Sequence, residues 1–137
     1  MADVRGQARG LIDTSVIVDL ERISPPLLPA GVAVSAISMA ELAAGPHATD
    51  DVTERASRQD RLQRAESAFN PLPFDAEAAR AYGRVYAAVA SAGRKARGAR
   101  AVDLLIAATA LAAGIPLYTR NADDLRALED VVEVVAL

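Results

Sequence analysis

The residues in this chain best suited to chemistry are carboxylates, and they recur at one kind of place. Asp13 closes the apolar pair Leu11–Ile12 and is followed by Thr14 and Ser15. Glu41 lies in "SMAELAAG", directly after the apolar run "VAVSAI". Asp103 heads the long apolar stretch "VDLLIAATALAAG". Asn121 and Asp124 follow "IPLYT" and its Thr119. Each has an ordinary local explanation. Asp13 suits a helix N-cap, worth about 1 kcal/mol. Ser38-x-x-Glu41 matches a capping box, and Asn121-x-x-Asp124 can cap a short helix. Asp103 is favoured by the positive end of a helix dipole, yet a charge before Leu104, Leu105 and Ile106 is costly unless it faces a cleft or an ion. Asp123 reads as a solvated surface acid.

Together the acids say more than each alone. Asp13, Glu41 and Asn121/Asp124 lie just beyond the C-terminal ends of candidate parallel strands, the edge where open α/β sheets bind ligands. Asp103 begins a helix that leads into such a strand and can enter the same crevice from the side. Carboxylates sharing one crevice repel and raise one another's pKa, and a divalent cation removes that conflict. Oxygen donors without histidine or cysteine partners select a hard ion, Mg²⁺ or Mn²⁺. Such an ion activates water and neutralises charge on a phosphoryl group.

A basic stretch, "GRKARGAR", places Arg94, Lys95, Arg97 and Arg100 just ahead of Asp103. Residues of this type give phosphate affinity without reading base sequence; the plain alternative is a solvated loop or local ion pairs. The lone histidine, His47, follows Gly45-Pro46 and reads as a surface residue.

The elements that must position these groups alternate between strand and helix. Residues 11–12 end a first strand, and 14–22 have helical spacing at Val16, Ile17 and Leu20. Three prolines make 23–31 a connector. A second strand is expected over 32–37, a short helix over 38–45, and a charged helix over 50–68 with a thin stripe at Val52, Ala56, Gln59, Leu62, Ala65 and Phe69. That stripe suits an exposed helix or one docked on a partner. "PLPF" (71–74) is a short strand or extended connector. Asp75 caps an amphipathic helix over 76–92 with Ala79, Tyr82, Val85, Tyr86 and Val89 inward. A helix over 102–114, a strand over 115–119, a short helix over 121–128 and a strand over 131–137 complete the chain. Short apolar strands separated by helices imply a parallel sheet with helices on both faces.

The bulk numbers are consistent with this reading. The 137 residues suit one domain, with residues 1–10 as a loose lead-in and 11–137 folded. There is no cysteine, hence no disulfide or thiolate site, which fits a reducing cytoplasm. A net charge of −3 argues against a generally basic coat, and five aromatic residues are too few for base-stacking platforms. No signal peptide or membrane span is expected; the most apolar stretch, 104–118, is interrupted by Gly114 and Pro116.

The motifs "LIDTSVIVDL", "VSAISMAELAAG", "VDLLIAATALAAGIPLYTRNADDL" and "VVEVV" resemble the PIN-domain family, and within it the VapC-type toxins of toxin–antitoxin pairs. The resemblance spans 11–137. It implies a parallel sheet of about five strands and a Mg²⁺-dependent endoribonuclease, with Mn²⁺ able to substitute. Asp13, Glu41, Asp103 and Asp124 match the catalytic acids; Asp13, Asp103 and Asp124 would hold metal. Thr14, Ser15, Thr119 and Asn121 match supporting polar positions. Many members carry aspartate where this chain has Asn121, so the fourth acid is assigned to Asp124. The resemblance also implies an RNA substrate, a homodimer and a small cognate antitoxin, with the stripe on 52–69 as a docking surface. A haloacid-dehalogenase-like phosphatase is disfavoured because Ser15 stands where a second aspartate is needed, and a receiver-like domain because the only lysine is Lys95. The competing class is a non-catalytic RNA- or protein-binding module on the same scaffold.

Overall fold

Leu11 and Ile12 are both fully buried. Neighbouring strand residues point to opposite faces, so this strand must be covered on both sides. The computed structural model describes residues 9–93 and 100–137 and shows that arrangement. Strand β1 (Arg9–Ile12) pairs in parallel with β2 (Gly31–Ala33) on one side and β3 (Leu117–Thr119) on the other; β3 pairs in parallel with β4 (Val134–Ala136). The order is β2-β1-β3-β4. The sheet has four strands rather than about five. The "PLPF" segment contributes a single bridge, Leu72 to Ser35, because prolines at 71 and 73 have no N–H to extend a ladder.

Among the described residues five α-helices surround it. They are α1 (Thr14–Val18), α2 (Ala36–Ala44), α3 (Val52–Ala68), α4 (Ala76–Ala92) and α5 (Ala101–Ala113); a 3₁₀ segment follows at Ala122–Leu128. Leu11, Ala33 and Leu117 pack against Ala81 and Val85 of α4 and Leu104 and Ile106 of α5. On the opposite face, Ile12 and Val34 pack with Val16 and Ile17 of α1, Leu42 of α2 and Ala65 of α3. Two cores on one parallel sheet explain why its strands read as continuous apolar runs. Helix α5 is apolar nearly all round because Leu104 and Ile106–Ala110 are buried. It ends where Gly114 takes a left-handed conformation, φ +70°.

Several boundaries differ from the sequence expectation. The helix expected over 14–22 stops at Val18 and tightens into a 3₁₀ turn at Leu20–Arg22; Val16, Ile17 and Val18 are three successive β-branched residues, which weaken a helix. The second strand ends early because Ser35 leaves it to cap α2, accepting from the Ser38 N–H at 3.0 Å. The buried face of α4 is Ala78, Ala81 and Val85, with Tyr82, Ala88 and Val89 partly buried. Ala79 is exposed, and Tyr86 is 58% exposed. Alanines on all sides of that helix leave its inward face undetermined until α5 packs on it. Of the expected lead-in, Arg9 and Gly10 already belong to β1, while residues 1–8 lie outside the described residues. No helix among the described residues is long and apolar enough to cross a membrane.

Candidate active site

The sheet changes winding direction between β1 and β3, and the residues that leave those strands sit side by side. Asp13 directly follows β1; its N–H donates to the Tyr118 carbonyl of β3 at 3.1 Å. Its side chain is buried and caps α1: Oδ1 accepts from the Val16 N–H at 3.2 Å and the Ser15 hydroxyl at 2.5 Å. Both bonds fall on one oxygen, so the cap occupies only half of the carboxylate. Ser15 also accepts from the Arg120 N–H at 3.1 Å, which ties the end of β1 to the end of β3. Thr119, fully buried, accepts from the Asn121 N–H at 3.0 Å.

Glu41 is not part of a capping box. The cap of α2 is Ser35, so Glu41 lies in the second turn of the helix, too far along to reach the orphan N–H groups at its start. Its Oε1 instead accepts from the Thr14 hydroxyl at 2.5 Å, a contact between residues 27 apart in sequence. Thr14 is also hydrogen-bonded with Ser38 Oγ at 2.9 Å, and Ser38 Oγ lies 3.3 Å from Ser35 Oγ. Ser35 and Ser38 are fully buried. A file of hydroxyls thus runs from the interior to Glu41 and fixes its rotamer. Sequence reasoning did not assign Ser35 or Ser38 to the site. The available signal was serine at 35 and 38 with glutamate at 41, successive i,i+3 neighbours on one helix face.

Asp103 is the third residue of α5 and accepts from the Arg100 N–H at 3.3 Å, the usual return bond of a helix start. The Arg100 guanidinium then takes both carboxylate oxygens, Nε to Oδ2 at 3.2 Å and Nη2 to Oδ1 at 3.1 Å. The same Nη2 is 3.8 Å from Glu41 Oε2. The hydrogen bonds that Arg100 donates to Asp103, then the charge of that carboxylate, raise the Arg100 pKa above its usual value; Glu41 and Asp13 add to this, and partial desolvation opposes it. One guanidinium therefore bridges two acids drawn from α2 and α5.

Asp124 does not join them. It is half-buried on the 3₁₀ segment, its N–H donating to the Asn121 carbonyl at 3.0 Å. Asn121 stands at the start of that segment with an exposed side chain that makes no capping bond. Arg94, Lys95 and Arg97 lie outside the described residues. His47 is exposed, as expected.

As the side chains stand, no three acid or imidazole groups among the described residues converge on one ion-sized point. The donor chemistry nonetheless fits a hard divalent cation. The three groups are all carboxylates, two of them, Asp103 and Glu41, already share one positive charge, and one Asp13 oxygen lies outside the local cap.

A second concave feature lies between α1 and α3. This groove of about 460 Å³ is lined by Ile17, Val18, Leu20, Ala65, Ala68 and Phe69, with Arg61 and Arg64 beside it. The stripe expected on α3 is split: Ala65, Leu62 and Phe69 turn toward the protein's own core, while Val52, Ala56 and Gln59 are exposed.

Comparison with known proteins places these features in context. The PIN domain family model matches residues 10–131. A protein of Mycobacterium tuberculosis named ribonuclease VapC5 is 34% identical over 130 residues, covering 93% of each chain. The crystal structure of VapBC-5 from Mycobacterium tuberculosis, a member of the VapBC family of toxin–antitoxin systems, superposes with a TM-score of 0.79 at 33% identity, over 95% of this chain and 99% of that one. FitAcB from Neisseria gonorrhoeae gives a TM-score of 0.71 at 28% identity, over 91% of this chain and 95% of that one.

Proposed function

Since the chain belongs to the PIN domain family, we propose that it is a metal-dependent endoribonuclease, the toxin of a toxin–antitoxin pair, hydrolysing RNA phosphodiester bonds. The observation that carries this reading is that Glu41 is joined to Asp103 through the Arg100 guanidinium and to the residue after Asp13 through the Thr14 hydroxyl, at the switch point of the sheet. Likeness to a protein named ribonuclease VapC5, and to VapBC-5, supports the substrate class and the existence of an antitoxin.

Asp13 and Asp103 would hold Mg²⁺, or Mn²⁺ in its place, with Asp124 reaching it through water. When bound, the ion supplies Lewis acidity to the phosphoryl oxygens and lowers the pKa of coordinated water. The chain's own residues do the rest. Glu41, held by Thr14, would help to hold the metal or orient the nucleophilic water. The buried Asp13 is rigid because its other oxygen is committed to the α1 cap. Ser15 ties the end of β1 to the end of β3, and Thr119 holds the turn that follows β3, which keeps the floor of the crevice fixed. Arg100, with Arg94, Lys95 and Arg97, meets the RNA backbone by phosphate contacts. We assign the antitoxin contact to the groove between α1 and α3, and the functional unit to a homodimer.

The test is cleavage of RNA with Mg²⁺ by the parent protein, Asp13→Asn and Asp103→Asn, with EDTA as control. The expected result is cleavage that EDTA abolishes and that both substitutions reduce by at least 100-fold. Equal cutting by all three proteins assigns the activity to a contaminant. Binding of RNA without metal-dependent cutting leaves the non-catalytic module as the function.

A further inference from the structure

Arg100 occupies a contradictory position for a residue whose task is to bind RNA phosphate. Its backbone is the N-cap of α5, in extended conformation. Its side chain is folded back onto the acids rather than outward, although 65% of it remains exposed. The fork of the guanidinium engages both oxygens of Asp103, and Nη2 reaches Glu41 from the other side. A planar fork on a carboxylate is the strong, oriented form of this pairing.

A hard divalent ion needs the same oxygens. Guanidinium and ion cannot both sit on Asp103 with Coulomb repulsion between them unscreened in a half-buried crevice. Loading the metal is therefore an exchange of one cation for another. Arg100 is well placed to leave: its side chain is mostly solvated, and among the described residues its side-chain partners are carboxylates. Once released, its charge lies at the rim of the acidic crevice, where a phosphodiester is the ligand it suits.

We propose that Arg100 is an internal competitor for the metal site, which divalent ion displaces from Asp103 and Glu41 and which then becomes a phosphate contact for the RNA. This rests on the metal-dependent reading above and adds a regulatory step to it: metal occupancy and substrate capture are coupled through one side chain. The coupling is reciprocal, so RNA that holds Arg100 outward tightens metal binding.

The experiment is titration of the full chain with Mn²⁺ in the absence of RNA, by calorimetry and by thermal melting, for the parent, Arg100→Ala, Arg100→Lys and Asp13→Asn. Removing the competitor is expected to tighten Mn²⁺ binding roughly three- to tenfold, since a largely exposed pair opposes it only modestly. Arg100→Lys, which keeps charge but loses the fork, should fall between. In EDTA, Arg100→Ala should melt lower than the parent because Asp103 and Glu41 lose their counter-charge. Its gain in Tm on adding Mn²⁺ should exceed the parent's. If the parent binds Mn²⁺ through Asp13 but Arg100→Ala binds equally or more weakly, the competitor role is wrong and the nuclease reading stands. If the parent itself binds no Mn²⁺, both fall together.

Discussion

The contact between Thr14 and Glu41 is the sharpest test of how this site is assembled, because it joins α1 to α2 and owes nothing to sequence proximity. The perturbation is Thr14→Val, which keeps the branched shape and deletes the hydroxyl. The bond it removes is short, 2.5 Å, and its acceptor is a carboxylate whose side chain is 24% exposed. Hydrogen bonds to charged groups contribute about 1.5–3 kcal/mol; partial exposure of Glu41 puts the expectation at the lower end, about 1.5 kcal/mol. Ser38 keeps Ser35 as a partner, so no buried hydroxyl is orphaned and no further penalty is added. For a chain of this length that loss lowers Tm by roughly 4–8 °C. A direct effect on Glu41 is separated from a general one by a double-mutant cycle with Glu41→Gln, read by urea unfolding. The pair should couple by about 1 kcal/mol, and Thr14→Ser should restore most of the loss. A Thr14→Val protein as stable as the parent, or a cycle that closes with no coupling, would show that Thr14 does not hold Glu41.

Other consequences follow from the fold. A Cβ at Gly10 would stand 2.4 Å from Tyr118 Cε1, so Gly10→Ala should lower Tm, and combining it with Tyr118→Ala should cost less than the two losses added. Gly114→Ala meets no atom within 4 Å but must hold φ at +70°, so thermal melting should report a loss of about 1–2 kcal/mol from the backbone alone. Leu117 is fully buried in β3, and Leu117→Ala should cost about 2–5 kcal/mol in urea; a smaller cost would mean that the α4–α5 layer collapses to fill the space.

Much of this architecture was legible in the residues. Apolar runs too short to be amphipathic strands, each followed by a helix, admit only a parallel sheet covered on both faces. Asp75 as a cap and Gly114 as a helix stop could be assigned locally because their roles depend on nearest neighbours alone. Helix α4 was harder: its alanines present nearly the same surface on several sides, and only packing against α5 selected Ala78, Ala81 and Val85 as the inward face.

The site divides along the same line. The types and order of Asp13, Glu41 and Asp103 are written in the chain, and oxygen donors without sulfur or imidazole are of the kind that suits a hard cation. Where Glu41 would anchor was not. A serine three residues ahead of it looks like a capping box, and the start of α2 at Ser35 is decided by the bridge to Leu72 and the end of β2. The direction of Arg100 was equally hidden. Sequence made it one of four cations in a loop; the approach of α2 to the start of α5 set it between Glu41 and Asp103, and that placement is a property of positions in space rather than of spacing along the chain.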